Sequence, residues 1–238
     1  MTGAAPAGAE PTLVVSEVFG PTFQGEGPTL GRRAAFVRLG RCNLDCAWCD
    51  TPYTWDWDRF DPAVELAERP VAEIVDELEA MGVHRVVVTG GEPLLQQRRL
   101  EPLLEAAAAR GWAVEVETNG TLAPTPTTIA LVERFNVSPK TSNSGVSTER
   151  AIVPDALAAL VASGKAAFKF VATGTEDLDE IAAVVAAHEL SPVYVMPEGT
   201  DAATVTDRGR ALADAVGRRG WHLTTRLHVL LWGDERGR

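Results

Sequence analysis

The stretch AAFVRLGRCNLDCAWCDT, residues 34–51, carries a strand-like apolar run straight into a loop holding Cys42, Cys46 and Cys49, the only three cysteines of the 238-residue chain. An odd count at tight spacing argues against a disulfide framework. Two kinds of metal centre remain. A structural zinc ion wants four ligands, usually Cys and His. The nearest histidine, His84, stands at the start of a later strand, which leaves Asp45 or Asp50 as the fourth ligand. An iron–sulfur cluster of the cubane type takes thiolates, one per iron. Three cysteines then leave one iron open to an outside ligand.

Outward from this loop the chain alternates strands and helices. LVVSEVF (13–19) and AAFVRLG (34–40) read as strands on either side of the turn-rich QGEGPTLG (24–31). VAEIVDELEAMG (71–82) reads as a helix: Ile74, Val75, Leu78 and Met81 share a stripe, Pro70 precedes it and Gly82 ends it. Strands follow in HRVVVTGGEP (84–93), WAVEVETNG (112–120), NVSPK (136–140), AAFKFVATG (166–174) and PVYVMPEG (192–199). Between and after them lie helices in RRLEPLLEAAAARG (98–111), PTTIALVERF (126–135), PDALAALVASG (154–164), EDLDEIAAVVAAHEL (176–190) and ATVTDRGRALADAVGRRG (203–220). HLTTRLHVLLWG (222–233) closes the fold. This rhythm implies βαβ units on a parallel sheet. With about six units, short of the eight of a closed barrel, it predicts an α/β fold: a partial, open (β/α) barrel. The polar segments TGGEP, ETNG, SPK and MPEG fall just after strands, where parallel α/β folds place their ligands.

Composition narrows the function further. With 22 basic and 33 acidic residues the net charge is −11, and no basic run exists to grip a nucleic-acid backbone. No stretch approaches the roughly 20 apolar residues of a membrane span. MTGAAPAGAE reads as a loose tail rather than a signal peptide. Residues 1–11 are expected to be a flexible tail and 12–238 one domain, in the cytoplasm, where thiols stay reduced.

The motif Cys42-x3-Cys46-x2-Cys49, with the aromatic Trp48 before the last cysteine and GGEP at 90–93, resembles the radical S-adenosylmethionine (SAM) superfamily. FGPTFQGEGPTLGRRAAFVRLGRCNLDCAWCDTPYTW (19–55), TGGEP, ETNG, SPK, MPEG and LHVLLWG (227–233) resemble, more narrowly, the 7-carboxy-7-deazaguanine synthase family, over essentially the whole chain after residue 12. The resemblance implies a 4Fe–4S cluster on the three cysteines, with its open iron holding the amino and carboxylate groups of SAM. It implies a carbon–nitrogen lyase. Such an enzyme turns 6-carboxy-5,6,7,8-tetrahydropterin into 7-carboxy-7-deazaguanine and ammonia, on the way to queuosine-type bases or 7-deazapurine natural products. A 5′-deoxyadenosyl radical takes hydrogen from C6 and later returns it, so no side chain is expected to act as the catalytic group. The resemblance also implies a homodimer and a flavodoxin or ferredoxin as electron donor. Another radical SAM enzyme, such as a glycyl-radical activase, is the alternative; a zinc or electron-transfer module would leave GGEP, ETNG and SPK without a role.

Site residues follow from the same resemblance. Trp48, Asp50, Gly91, Glu92, Asn119, Ser138 and Lys140 are assigned to SAM; Gly90 and Gly91 allow close backbone approach, and Glu92 offers an acceptor for an ammonium. Thr51 is assigned to a Mg²⁺ ion, which commonly has few protein ligands. Gln24, Glu26, Gly27, Thr89 and Glu198 are assigned to the pterin. Arg38 lies on the strand face opposite Val37 and Leu39. It forms either an internal ion pair or, as the resemblance favours, a bidentate clamp on the substrate carboxylate. Lys169, between Phe168 and Phe170, is expected to face the barrel interior. Trp48, Tyr53, Trp55, Trp57 and Phe60 are expected to pack the long loop onto the barrel.

Overall fold

A computed structural model describes residues 10–238 of the chain. Most of the expected tail, residues 1–9, lies outside the described residues; the Pro11 carbonyl accepts a hydrogen bond from the Val71 N–H at 2.9 Å.

Among the described residues nine strands form one sheet: β1 (Thr12–Phe23), β2 (Arg33–Leu39), β3 (Ala67–Pro70), β4 (Arg85–Gly90), β5 (Ala113–Thr118), β6 (Arg134–Val137), β7 (Ala166–Ala172), β8 (Val193–Pro197) and β9 (His222–Leu223). Their order is β3-β1-β2-β4-β5-β6-β7-β8-β9. β1 runs antiparallel to β2 and β3, and every neighbouring pair from β2 to β9 is parallel. The crossovers use helices Val71–Ala80, Gln97–Ala109, Pro126–Leu131, Pro154–Ala162, Leu178–His188 and Ala202–Arg218. β3 and β9 are the two edges of the sheet and do not pair. The fold is the open, partial (β/α) barrel that the strand–helix rhythm predicts.

Strand alternation decides what the barrel contains. Val37, Leu39, Val86, Val88, Val114, Val116, Phe135, Val137, Phe168, Phe170, Val193 and Val195 join one core with helix residues such as Ile74, Leu78, Leu100, Leu104, Leu157, Leu160, Ile181 and Leu212. The intervening residues therefore face the lumen. They include Phe36, Arg38, Thr89, Glu117, Asn136, Lys169 and Met196, all of which line one cavity. One strand face builds the protein and the other builds the site.

Four details differ from the sequence reading or add to it. β1 continues past Phe19 to Phe23, because Gly20, at φ +141°, lets the strand bend where a Cβ would stand 3.0 Å from the Ala35 Cα. β3 was not visible: its AERP sequence lacks apolar alternation, as befits a short, charged, proline-ended edge strand. The helix expected over 126–135 stops at Leu131, and Arg134–Val137 becomes β6. Phe135 and Val137 are fully buried in the sheet core, and that packing overrides local helix propensity. LHVLLWG forms a helix, Leu227–Trp232, after the two-residue β9.

A second polar layer lies below the cavity. Glu115 is fully buried and accepts bonds from Arg85, from Thr29 Oγ1 at 2.7 Å and from Asn136 Nδ2 at 2.9 Å. It ties the 24–31 loop to the barrel wall. Arg85→Met leaves that carboxylate without its cation and is expected to cost about 3–5 kcal/mol in chemical denaturation. Adding Glu115→Gln, which keeps an acceptor for Thr29 and Asn136, should recover most of the loss. A cost under about 1 kcal/mol for the single variant would contradict this role.

Candidate active site

The cysteine loop leaves β2 through Arg41, whose positive φ of 74° turns the chain sharply. Leu44 and Cys46 are buried against Val146 and Ala151. The Ala47 N–H donates to the Ser144 carbonyl at 2.9 Å, and Trp48 Nε1 to the Asn143 carbonyl at 3.0 Å. Asn43 Nδ2 donates to Thr121 Oγ1 at 2.8 Å, and Asn119 Nδ2 donates to Asn43 Oδ1 at 2.9 Å. Loops after β5 and β6 thus hold the cysteine loop from two sides.

All three cysteines are free thiols lining one cavity of about 500 Å³, within the range of small-molecule sites. The Leu44 N–H points at Cys42 Sγ at 3.5 Å, and Trp55 Nε1–H at Cys49 Sγ at 3.3 Å. Such N–H donors suit thiolate sulfurs on an iron–sulfur cluster, whose potential they tune. Burial pushes the Cys42 thiol up to about 11 and raises that of Cys46 as well. Bound iron reverses that preference by replacing the proton. The donor set therefore fits a 4Fe–4S cluster.

The glycine pair after β4 is required by contact. A Cβ on Gly90 would stand 2.1 Å from the Leu39 carbonyl oxygen, and one on Gly91 would stand 2.0 Å from that of Arg41. The Glu92 N–H donates to the Arg41 carbonyl at 2.8 Å. The ends of β2 and β4 are thereby locked under the cysteine loop. Glu92 departs from the sequence expectation of an open acceptor for an ammonium. Its carboxylate is fully buried and accepts from the Leu94 N–H at 2.9 Å, Thr118 Oγ1 at 2.8 Å and the Asn119 N–H at 2.7 Å. Burial raises its pKa against those bonds. Its side chain braces Gly91 and Asn119 from behind.

The other residues assigned to SAM stand near the cysteines. Gly91, Asn119, Ser138, Lys140, Trp48 and Asp50 line the cavity. Lys140 Nζ donates to Ser138 Oγ at 2.8 Å and lies 5.3 Å over the Trp48 ring. Thr51 Oγ1 sits 3.7 Å from Cys49 Sγ.

Deeper in the lumen the charges are paired. Glu26 meets Lys169, and Arg226 Nε at 3.3 Å; Arg226 also meets Asp50 and donates to the Gly199 carbonyl at 2.6 Å. Burial alone would raise the Glu26 carboxyl. The charges of Lys169, Arg226 and His228 outweigh it and hold the group well below the usual carboxylate range. Gln24 Nε2 donates to Glu117 at 3.0 Å and Thr89 Oγ1 to the same carboxylate at 2.7 Å. The Gly27 N–H donates to Thr224 Oγ1 at 3.0 Å. Glu198 is paired with Arg208, and its side chain reaches the cavity rim. Arg38 lies beside the ring of Phe19, 5.4 Å from its centroid, and donates through Nε to Glu17 at 2.6 Å. The internal ion pair is real, and it engages the side of the guanidinium rather than its terminal amino groups.

Gly27 and Glu92 stand outside the cavity lining, Gly27 just behind it; the other assigned residues reach the cavity. Sequence reasoning missed Glu117, Asn136, Arg226 and the tail Asp234–Arg238, which also line it. The alternation of Val114, Glu115, Val116 and Glu117 was an available signal for two inward carboxylates.

Comparison with known proteins gives the chain's relatives. The radical SAM superfamily description matches residues 37–152. The chain is 42% identical to a 7-carboxy-7-deazaguanine synthase of Pyrobaculum aerophilum, over 97% of this chain and 99% of that one. It is 30% identical to the synthase of the same name from Bacillus subtilis, over 94% and 98% of the two chains. The crystal structure of QueE from Escherichia coli superposes with a TM-score of 0.67 at 25% identity, covering 91% of this chain and 95% of that one.

The paired lumen has a pH signature. Because the folded-state pKa of Glu26 is depressed, its stabilising contribution is present above its unfolded value of about 4.3 and is lost as pH falls. The stability gap between wild type and Glu26→Gln should be widest near pH 6. Below about pH 4 it should narrow by about 1.4 kcal/mol per pH unit in denaturant titrations. A gap independent of pH between 6 and 3 would show that Glu26 is not held by these charges.

Proposed function

We infer the reaction from family membership: the chain belongs to the 7-carboxy-7-deazaguanine synthase family of the radical SAM superfamily. It converts 6-carboxy-5,6,7,8-tetrahydropterin to 7-carboxy-7-deazaguanine with loss of ammonia, using a 4Fe–4S cluster and SAM. When bound and reduced, the cluster supplies the electron that cleaves SAM to methionine and a 5′-deoxyadenosyl radical. One observation carries the reading for this chain: the three cysteine sulfurs and a lumen holding Arg38, Gln24, Glu26 and Glu117 open into the same cavity.

The chain's own residues divide the work. Cys42, Cys46 and Cys49 hold the cluster. Gly91, Asn119, Ser138, Lys140, Trp48 and Asp50 surround SAM, with Glu92 fixing the backbone of that wall. Arg38 keeps Nε on Glu17 and offers its terminal amino groups to the substrate carboxylate, the planar geometry a carboxylate prefers. Gln24, Glu26 and Thr89 frame the pterin ring, and Gly27, bonded to Thr224, shapes the loop behind them. Paired carboxylates are held in place inside the lumen, where they can accept from the ring's N–H groups. Glu198 closes the far rim. Thr51, two residues after Cys49, is the residue that would hold Mg²⁺. No helix among the described residues is long and apolar enough to cross a membrane. We assign the enzyme to the cytoplasm, as a homodimer reduced by a flavodoxin or ferredoxin.

Anaerobically reconstituted protein given reductant, SAM and carboxytetrahydropterin should release carboxydeazaguanine, identified by mass, and one ammonia per turnover. An intact cluster that cleaves SAM without forming that product would overturn the assignment. Arg38→Met removes a charge-assisted clamp and should raise KM at least about tenfold. An unchanged KM would remove Arg38 from the site.

A further inference from the structure

The five residues after LHVLLWG have no role in the reading above, yet Asp234–Arg238 all line the cavity. Their anchor is Arg236. Its guanidinium lies 3.9 Å from the centroid of the Tyr53 ring. It donates to Glu65 at 2.8 Å and to Ser16 Oγ at 3.2 Å, and its Nε is 3.6 Å from Glu17 Oε2. These partners come from β1, from the turn after the cysteine loop and from the short helix Pro62–Glu65. Three separate elements therefore form the socket.

Glu17 makes this more than a tether. Its Oε2 faces Arg236, while its Oε1 accepts from Arg38 Nε at 2.6 Å and from Tyr53 OH at 3.0 Å. One carboxylate is thus shared between the tail and the proposed carboxylate clamp. Charge counting gives the consequence. Arg38 and Arg236 balance Glu17 and Glu65. Without Arg236 the cluster carries a net negative charge at the place where an anionic substrate group must bind. Glu17 Oε2 would then be free to take a terminal amino group of Arg38, completing with Oε1 the two-pronged pair that carboxylate and guanidinium prefer. That turns the guanidinium away from the lumen.

We propose that Arg236, in the C-terminal tail, is a positioning residue for the substrate clamp. Arg236 latches Asp234–Arg238 across the cavity and, through Glu17, keeps the terminal amino groups of Arg38 free for the substrate carboxylate. The inference rests on the reading of Arg38 as the carboxylate clamp.

The test is equilibrium binding without reductant, so that no turnover occurs. Anaerobically reconstituted protein with SAM is titrated with 6-carboxytetrahydropterin and, separately, with tetrahydropterin lacking the carboxylate. Arg236→Ala should weaken the carboxylated ligand about tenfold while changing the other by less than about twofold, the pattern of one lost charge-assisted contact. Adding Glu17→Gln to Arg236→Ala should recover most of the lost affinity, because no carboxylate then draws Arg38 away, and Arg236→Lys should fall between wild type and Arg236→Ala. Iron content and SAM affinity should stay at wild-type values. Carboxypeptidase should trim the tail faster in Arg236→Ala. Equal loss for both ligands, or no loss for either, would overturn the coupling between tail and clamp. A wild type that does not prefer the carboxylated ligand would overturn the clamp reading itself, and this inference with it.

Discussion

Glu26 stands inside a barrel with Lys169 on one side and Arg226 on the other, and Arg226 reaches on to Asp50 beside the last cysteine. This chain of opposite charges joins four stretches far apart in sequence: the 24–27 loop, β7, the segment after β9 and the cysteine loop. A charge buried in such a place must be paired, and removing one partner of a buried pair typically costs about 3–5 kcal/mol. Each of the four stretches therefore depends on the others for a partner. The polarity of the lumen would also serve the proposed substrate: a heterocycle rich in N–H groups would meet acceptors already fixed in place, so less ordering would remain to be done on binding.

The period of two in the strands is what lets one sheet serve both purposes. In β5, Val114 and Val116 turn to the helices while Glu115 and Glu117 turn inward; in β7, Phe168 and Phe170 turn out and Lys169 in. A shift of one residue in register would exchange the two faces completely. The glycine pair after β4 then sets the depth of the cysteine loop, because the backbone atoms of Leu39 and Arg41 leave no space for a side chain there.

Much of this was legible in the sequence, for physical reasons. The cysteine spacing, the glycine pair and the polar breaks after each strand are local, and local chemistry can be read without coordinates. Lys169 could be placed inside because its apolar neighbours had to face outward. Other features were hidden because they depend on partners. An open carboxylate and one capped by the Leu94 and Asn119 N–H groups look alike as letters, so Glu92 was taken for a ligand contact. Arg226 matters only through the path of the last segment back to Asp50 and Glu26. The edge strand β3 lacks a pattern because it has no second strand to cover it. The tail DERGR is short and charged, and nothing in its composition says that it folds back onto Tyr53 and Glu17.

The central claim is that this lumen is a preformed seat for a carboxylated pterin next to cluster-bound SAM. A crystal structure of the anaerobically reconstituted protein with SAM and 6-carboxy-5,6,7,8-tetrahydropterin tests it most directly. The account predicts the substrate carboxylate on the terminal amino groups of Arg38, with the ring edge against Gln24, Glu26 and Glu117. A carboxylate bound instead at Lys140, or a ring seated outside the lumen with the Glu26 pairs undisturbed, would contradict it.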